Sequence, residues 1–183
     1  NSFIGYSGFF LAGSSYDVQT IMLWIFQMVF CTKTVTIIAG GVAERMKFSP
    51  YLIYSMVVAA IIYPIYGHWV WGGGWLAKLP IGKGVLDLAG SGVIHTIGGM
   101  LALVGAYFVG PRKKKFNPDG TPNAIPGHNL TLVVIGTLFL AFGWFGFNSG
   151  STLAATDLRI SVIAVNTFIG GAAGAVIIIF LTY

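Results

Sequence analysis

Two stretches of this chain carry no Asp, Glu, Lys or Arg at all: Leu88 to Pro111, and Ile160 to Tyr183. Each is long enough to cross the hydrocarbon core of a bilayer, for which about 20 helical residues suffice. Tyr51 to Trp71 and Leu130 to Phe147 are equally free of charge, and Val18 to Val42 is interrupted only by Lys33. Apolar runs of this length imply helices, because a membrane-spanning barrel would instead alternate apolar and polar positions over about ten residues. The expected fold class is therefore an all-α membrane protein. It is a polytopic helical bundle with about five transmembrane helices, near 18–42, 51–71, 88–110, 130–147 and 160–183.

Composition excludes the main alternative. Hydrophobic residue types make up 56% of the 183 residues and charged types 8%, against about 25% charged in soluble domains. Mean hydropathy is +0.83. The net charge of +5 does not imply a nucleic-acid partner, because the basic residues fall in short gaps between apolar runs and not on one face. A single cysteine, Cys31, builds neither a disulfide framework nor a thiolate metal site. The chain opens on Asn1 without a basic, then apolar, leader and stops at Tyr183 inside an apolar run, so both ends read as cut.

The loops give an expected orientation. One side holds Arg45, Lys47 and Arg112 to Lys115; the other holds Lys78, Lys83 and Arg159, diluted by Asp17, Asp87 and Asp157. Six basic residues against three place the Pro111–Phe116 loop in the cytoplasm by the positive-inside rule. Helix packing is signalled by the small-residue row Gly98, Ala102, Ala106 and by Gly170 with Gly174. Pro64 is expected to kink the second helix.

No Walker A, HExxH or GxSxG pattern occurs, so ATP-driven transport and the common hydrolases find no support. No catalytic residue, metal site or cofactor is expected. His95 lies about two turns into the third span. An ionisable group there is either functional or a neutral imidazole hydrogen-bonded as scaffolding. Tyr66, Trp69, Trp71 and Trp75, with Phe26 and Phe30, form either an interfacial aromatic belt or a cage for a small cation. Phe142, Trp144, Phe145 and Phe147 pose the same choice on the fourth helix. Asp87 precedes the third span, where it suits an N-cap or a longer-range attraction for cations. Lys33 shares sequence spacing with Phe30 and either snorkels, pairs with an acid such as Asp17, or faces the pore.

Six segments together resemble ammonium transporters of the Amt branch of the Amt/Rh superfamily. They are Phe26-Gln27-Met28-Val29-Phe30, Ala43-Glu44-Arg45, Gly67-His68-Trp69-Val70-Trp71-Gly72-Gly73-Gly74, Asp87-Leu88-Ala89-Gly90-Ser91-Gly92-Val93-Ile94-His95, Gly127-His128-Asn129-Leu130, and Gly143 to Ser151. Asn166-Thr167 fits as well. The resemblance implies an eleven-helix fold assembled as a homotrimer with one pore per subunit, of which this chain is similar to the third to seventh helices. It implies an outer ammonium site at Trp71 and Ser151 with Phe30 beside it, a pore gate of Phe30 and Phe147, and a proton relay that includes His95. Asp87 is implied as a supporting acid near the outer site. A second relay histidine has no match here, since His68 and His128 fall at helix ends.

The function so implied is selective ammonium or ammonia transport across the plasma membrane, the inner membrane if the source is bacterial. An ammonium sensor, using the same fold fused to a signalling domain with little transport, is the alternative. A PII-type regulatory protein on the cytoplasmic face is the implied partner besides the bilayer and further copies of the chain.

Overall fold

The computed structural model describes residues 1–182. Among them the ordered elements are helical, with isolated β-bridges such as Phe116 with Pro122. Two single 3₁₀ turns, Phe9–Leu11 and Gly13–Ser15, lead into α1, Val18–Val42. Then come α2 (Phe48–Val57), α3 (Tyr63–Val70), α4 (Ile97–Val109), α5 (Leu130–Trp144) and α6 (Arg159–Thr182). Three π-helical turns extend or join them: Val58–Ile62, Ser91–Thr96 and Phe145–Ser149. Merged across those turns, five helices are long and apolar enough to span a membrane: Val18–Val42, Phe48–Val70, Ser91–Val109, Leu130–Ser149 and Arg159–Thr182.

Local chemistry explains the helix starts. Asp17 caps α1 by accepting from the Thr20 amide at 3.1 Å, and Asn129 caps α5 by accepting from Leu132 at 3.1 Å. The second span begins at Phe48, three residues ahead of the expected start at Tyr51, because Pro50 fits a first turn that needs no amide donor there. At Pro64 the missing N–H and the ring bulk disturb the bond to the preceding turn. The wide turn Val58–Ile62 directly before it takes up that disturbance while helical dihedrals continue through Tyr63. The third span starts at Ser91 and not at Leu88, for a reason that belongs to the site below.

The chain divides into two compact units, Asn1–Ala124 and a second that begins at Ile125. In the first unit α1 packs along α4. A Cβ on Gly41 would lie 2.8 Å from the Cβ and carbonyl oxygen of Ala102, and one on Gly98 would lie 2.9 Å from Ile37. Gly105 meets Val42 in the same way at 2.7 Å. Gly98, Ala102 and Gly105 thus line the contact with α1. Backbones this close gain dispersion contacts that lipid cannot match. The core between the spans holds Phe30, Ile38, Val42, Val58, Val93 and Ile94, with Thr34 among them.

Polar ties join the same helices. Tyr51 and Tyr54 donate from their hydroxyls to the backbone oxygens of Val35 and Leu101, each at 3.2 Å. Arg45 donates to the carbonyls of Gly41 and of Gly110, the latter at 2.9 Å, so one guanidinium serves the C-terminal ends of both α1 and α4. Nearby, Arg112 pairs with Glu44 at 2.7 Å with both side chains exposed, a geometry that contributes little to stability. The connection that follows folds back on itself, with Asn117 donating to Thr121 O and Asn123 to Lys115 O.

In the second unit, the π turn Phe145–Ser149 that extends α5 packs against α6. Most of its side chains are exposed within that unit, and Gly170 and Gly174 have no atoms close to where a Cβ would be.

Candidate functional site

Phe30 sits on the inward face of α1, 2% exposed. One turn earlier Phe26 stacks against it with ring centroids 4.4 Å apart and a tilt of 39°. Trp71, at the C-terminal end of α3, sets its ring edge-on to Phe30, with centroids 5.9 Å apart and planes at 72°. Edge-to-face pairs of this kind are favoured by the ring quadrupoles. Trp69 belongs to a separate cluster with Tyr66 and Trp75, at 5.8 and 5.6 Å. The aromatic residues near this end therefore serve two different packings.

The Trp71 indole is held by a hydrogen bond: Nε1 donates to the backbone oxygen of Asp87 at 2.7 Å. The Asp87 side chain is itself fully engaged. Its Oδ1 accepts from the amides of Gly90 and Ser91 at 2.6 and 2.9 Å, and its Oδ2 from Gly92 and Val93 at 2.8 and 2.9 Å. These are the orphan donors at the start of the third span. Asp87 caps them from four residues ahead of Ser91, with the chain turning through Gly90 in between. Gly90 has φ +95°, and a Cβ there would collide with Ile94, so a side chain is excluded twice over. This capture is why the span starts at Ser91.

The span opens in a π turn that carries His95. The His95 amide donates to Gly90 O at 2.9 Å, and Thr96 Oγ1 donates to Ser91 O at 2.8 Å, both reaching back five residues and not four. His95 Nδ1 also lies 3.1 Å from Gly90 O. A carbonyl only accepts, so in this contact Nδ1 is the donor. The ring is exposed within the first unit. Phe30, Trp71, Asp87 and His95 are thus gathered by one unit, linked through the 87–95 segment.

Phe147 and Ser151 belong to the second unit and meet there. Ser151 Oγ donates to Phe147 O at 2.6 Å. Phe147 lies within the π turn Phe145–Ser149, as His95 lies within its own. Asn148 Nδ2 donates to Thr167 Oγ1 at 3.1 Å, joining that turn to α6.

Lys33 is exposed while Phe30 is buried, and among the described residues it forms no ion pair. His68 lies at the end of α3 with Nε2 2.8 Å from Asn1 O. Among the described residues no three His, Cys, Asp or Glu side chains gather where a metal ion would bind. Gln27 and Tyr63 form a hydrogen-bonded pair that sequence reading passed over; the available signal was two polar groups within apolar runs.

A model of the Ammonium Transporter Family matches residues 1–183 of this chain. The chain belongs to the ammonium transporter family. Among curated family members, Ammonium transporter Amt2 of Archaeoglobus fulgidus is 58% identical over 98% of this chain and 40% of its own length. Ammonium transporter Amt1 of Methanocaldococcus jannaschii is 42% identical over 91% of this chain and 42% of its own. Ammonium transporter 1 member 3 of Solanum lycopersicum is 43% identical over 82% of this chain and 34% of its own. The chain spans about two fifths of the length of the curated relatives it matches. Membership and the five apolar helices make it part of a multi-pass membrane protein of the ammonium transporter family.

Proposed function

We propose that the full-length protein moves ammonium or ammonia selectively across the plasma membrane. The observation that carries this reading is the Phe30–Trp71 edge-to-face pair, with the indole oriented by Asp87 and the same segment leading on to His95. A ring face attracts a small cation by about 0.5–2 kcal/mol, most when the cation is desolvated. Ammonium adds four N–H donors, for which Ser151 Oγ is an acceptor.

In this reading ammonium is recruited at Trp71 and Ser151 beside Phe30. The rings of Phe30 and Phe147 exclude hydrated ions. Ammonium gives up a proton near that gate, ammonia continues through an apolar lumen, and His95 takes part in relaying the proton. An imidazole suits this because each ring has one donor and one acceptor nitrogen. Asp87 supports the site by holding Trp71 and the start of the His95 span. Its carboxylate, which already accepts four amides, is not a direct ammonium ligand. Assembly as a homotrimer, and docking of a PII-type regulator on the side that bears Arg112 to Lys115, belong to the same proposal.

The test is ammonium-evoked current from the full-length protein in proteoliposomes, with potassium as the control. A saturable current with ammonium and none with potassium is expected. Ammonium binding without current would favour a sensor built on the same fold.

A further inference from the structure

Two polar side chains meet at membrane depth between α1 and α3. The Tyr63 hydroxyl donates to Gln27 Oε1 at 2.7 Å, and Tyr63 is 6% exposed. Both residues lie inside spans, where no bulk water stands ready to replace a lost partner. Neither is part of the ammonium site, the gate or the relay described above.

Their placement links them to the aromatic pair. Gln27 precedes Phe30 by three residues, nearly one turn of α1, and Tyr63 precedes Trp71 by eight, a little over two turns along the second span. Near this end the two spans are therefore joined twice, once by the hydrogen bond and once by the ring contact, and further along they are joined by the Tyr51 hydroxyl on Val35 O. Ring contacts tolerate sliding and tilting over a range of centroid distances. A hydrogen bond weakens steeply when its angle opens. Of the two joints at this end, the Tyr63–Gln27 bond is the more directional.

The backbone supports the same conclusion. The π turn Val58–Ile62 ends immediately before Tyr63, so the direction of Tyr63 differs from that of an unbroken α-helix. Pro64 follows at once and lacks the amide that would tighten the turn. The wide turn thus aims Tyr63, and Tyr63 holds Gln27 on the helix that bears Phe30.

We propose that Tyr63, acting through Gln27, is a positioning residue that sets the Phe30 ring against Trp71 and so determines the preference for ammonium over potassium. The inference rests on the transport reading above. Its competitor is that the bond only satisfies two buried polar groups, which would be a matter of stability alone.

The two are separated by comparing ammonium and potassium currents of the full-length protein in proteoliposomes for wild type, Tyr63→Phe, Gln27→Leu and the double variant. Tyr63→Phe keeps the ring and removes the hydroxyl; the double variant removes both polar partners. The expected result is an ammonium-to-potassium ratio about tenfold lower in Tyr63→Phe, not regained in the double variant. A wild-type ratio in Tyr63→Phe overturns the inference, and so does recovery of the ratio in the double variant. If Tyr63→Phe does not fold, the double variant decides alone, a wild-type ratio overturning the inference and a lowered one supporting it. A wild type without ammonium current overturns the transport reading and this inference together.

Discussion

Asp87 holds Trp71 with one end and the His95 span with the other. Its backbone oxygen accepts from the indole Nε1 at 2.7 Å, while its carboxylate accepts from four successive amides, Gly90 to Val93. A single residue between two spans therefore orients the ring that would meet a cation and terminates the helix that would carry the proton. Replacing it acts through geometry, and the predictions start there.

Asp87→Asn keeps one acceptor oxygen and turns an NH2 group toward two of the four amides. The expected loss is about 2 kcal/mol of stability, greater for Asp87→Ala, together with reduced ammonium current. Thermal unfolding of the full-length protein in detergent measures the first and proteoliposome current the second. Lost current at unchanged stability would instead make Asp87 a direct ligand.

Trp71→Leu removes the ring face but keeps an apolar side chain of substantial size. Loss of a partly desolvated cation contact of about 1 kcal/mol corresponds to a severalfold weaker site. Competition between ammonium and methylammonium reads this directly. Unchanged competition would remove Trp71 from the site and leave it a packing partner of Phe30.

His95→Ala deletes the imidazole within the π turn. Proton-coupled current is expected to vanish while the thermal midpoint stays close to wild type, because the ring is exposed within its unit. A current of full size would show that His95 is scaffolding, the other role open to an intramembrane imidazole.

Gly41→Val places a branched side chain where a Cβ alone would already lie 2.8 Å from Ala102. Separation of α1 from α4 is expected to cost about 1–3 kcal/mol. Gly99→Ala is the control, since nothing lies within 4 Å of its Cβ position, and alanine favours the helix by about 1 kcal/mol. The thermal midpoint should fall for the first and hold or rise for the second.

Asp119 shapes the connection between α4 and α5. Its carboxylate accepts from Thr121 Oγ1 at 2.6 Å and from Thr121 N at 2.9 Å. The Thr121 hydroxyl and amide hold the acid below its ordinary value of 3.8. A depressed acid stabilises the folded loop above its unfolded pKa, and that contribution disappears as pH falls through the folded value. Protection of the Thr121 amide, relative to its intrinsic exchange rate at each pH, should thus hold at neutral pH and fall below the ordinary carboxylate range. Asp119→Asn should flatten the dependence.

Much of the architecture was legible from residue order. Unbroken apolar runs oblige a chain to satisfy its backbone internally, so the five spans and their helical nature followed from where Asp, Glu, Lys and Arg are absent. The motif order around Phe30, Trp71, Asp87, His95 and Ser151 marked the family, which the match over residues 1–183 then established. The helix starts depended on finer chemistry. Pro50 is acceptable in a first turn, and the Asp87 carboxylate reaches past Leu88 and Ala89 to the amides that follow.

The tertiary structure decided matters of direction and spacing. Which rings meet, Phe30 with Trp71 but Trp69 with Trp75, depends on helix rotation that an apolar run does not specify. The π turns at Val58–Ile62, Ser91–Thr96 and Phe145–Ser149 have no composition signal, because they differ from α-helix only in which carbonyl each amide chooses. They rotate every residue beyond them, and with those residues His95, Tyr63 and Phe147. Burial by lipid selects helices from the sequence; hydrogen bonds and close backbone contacts between those helices select how each one is turned.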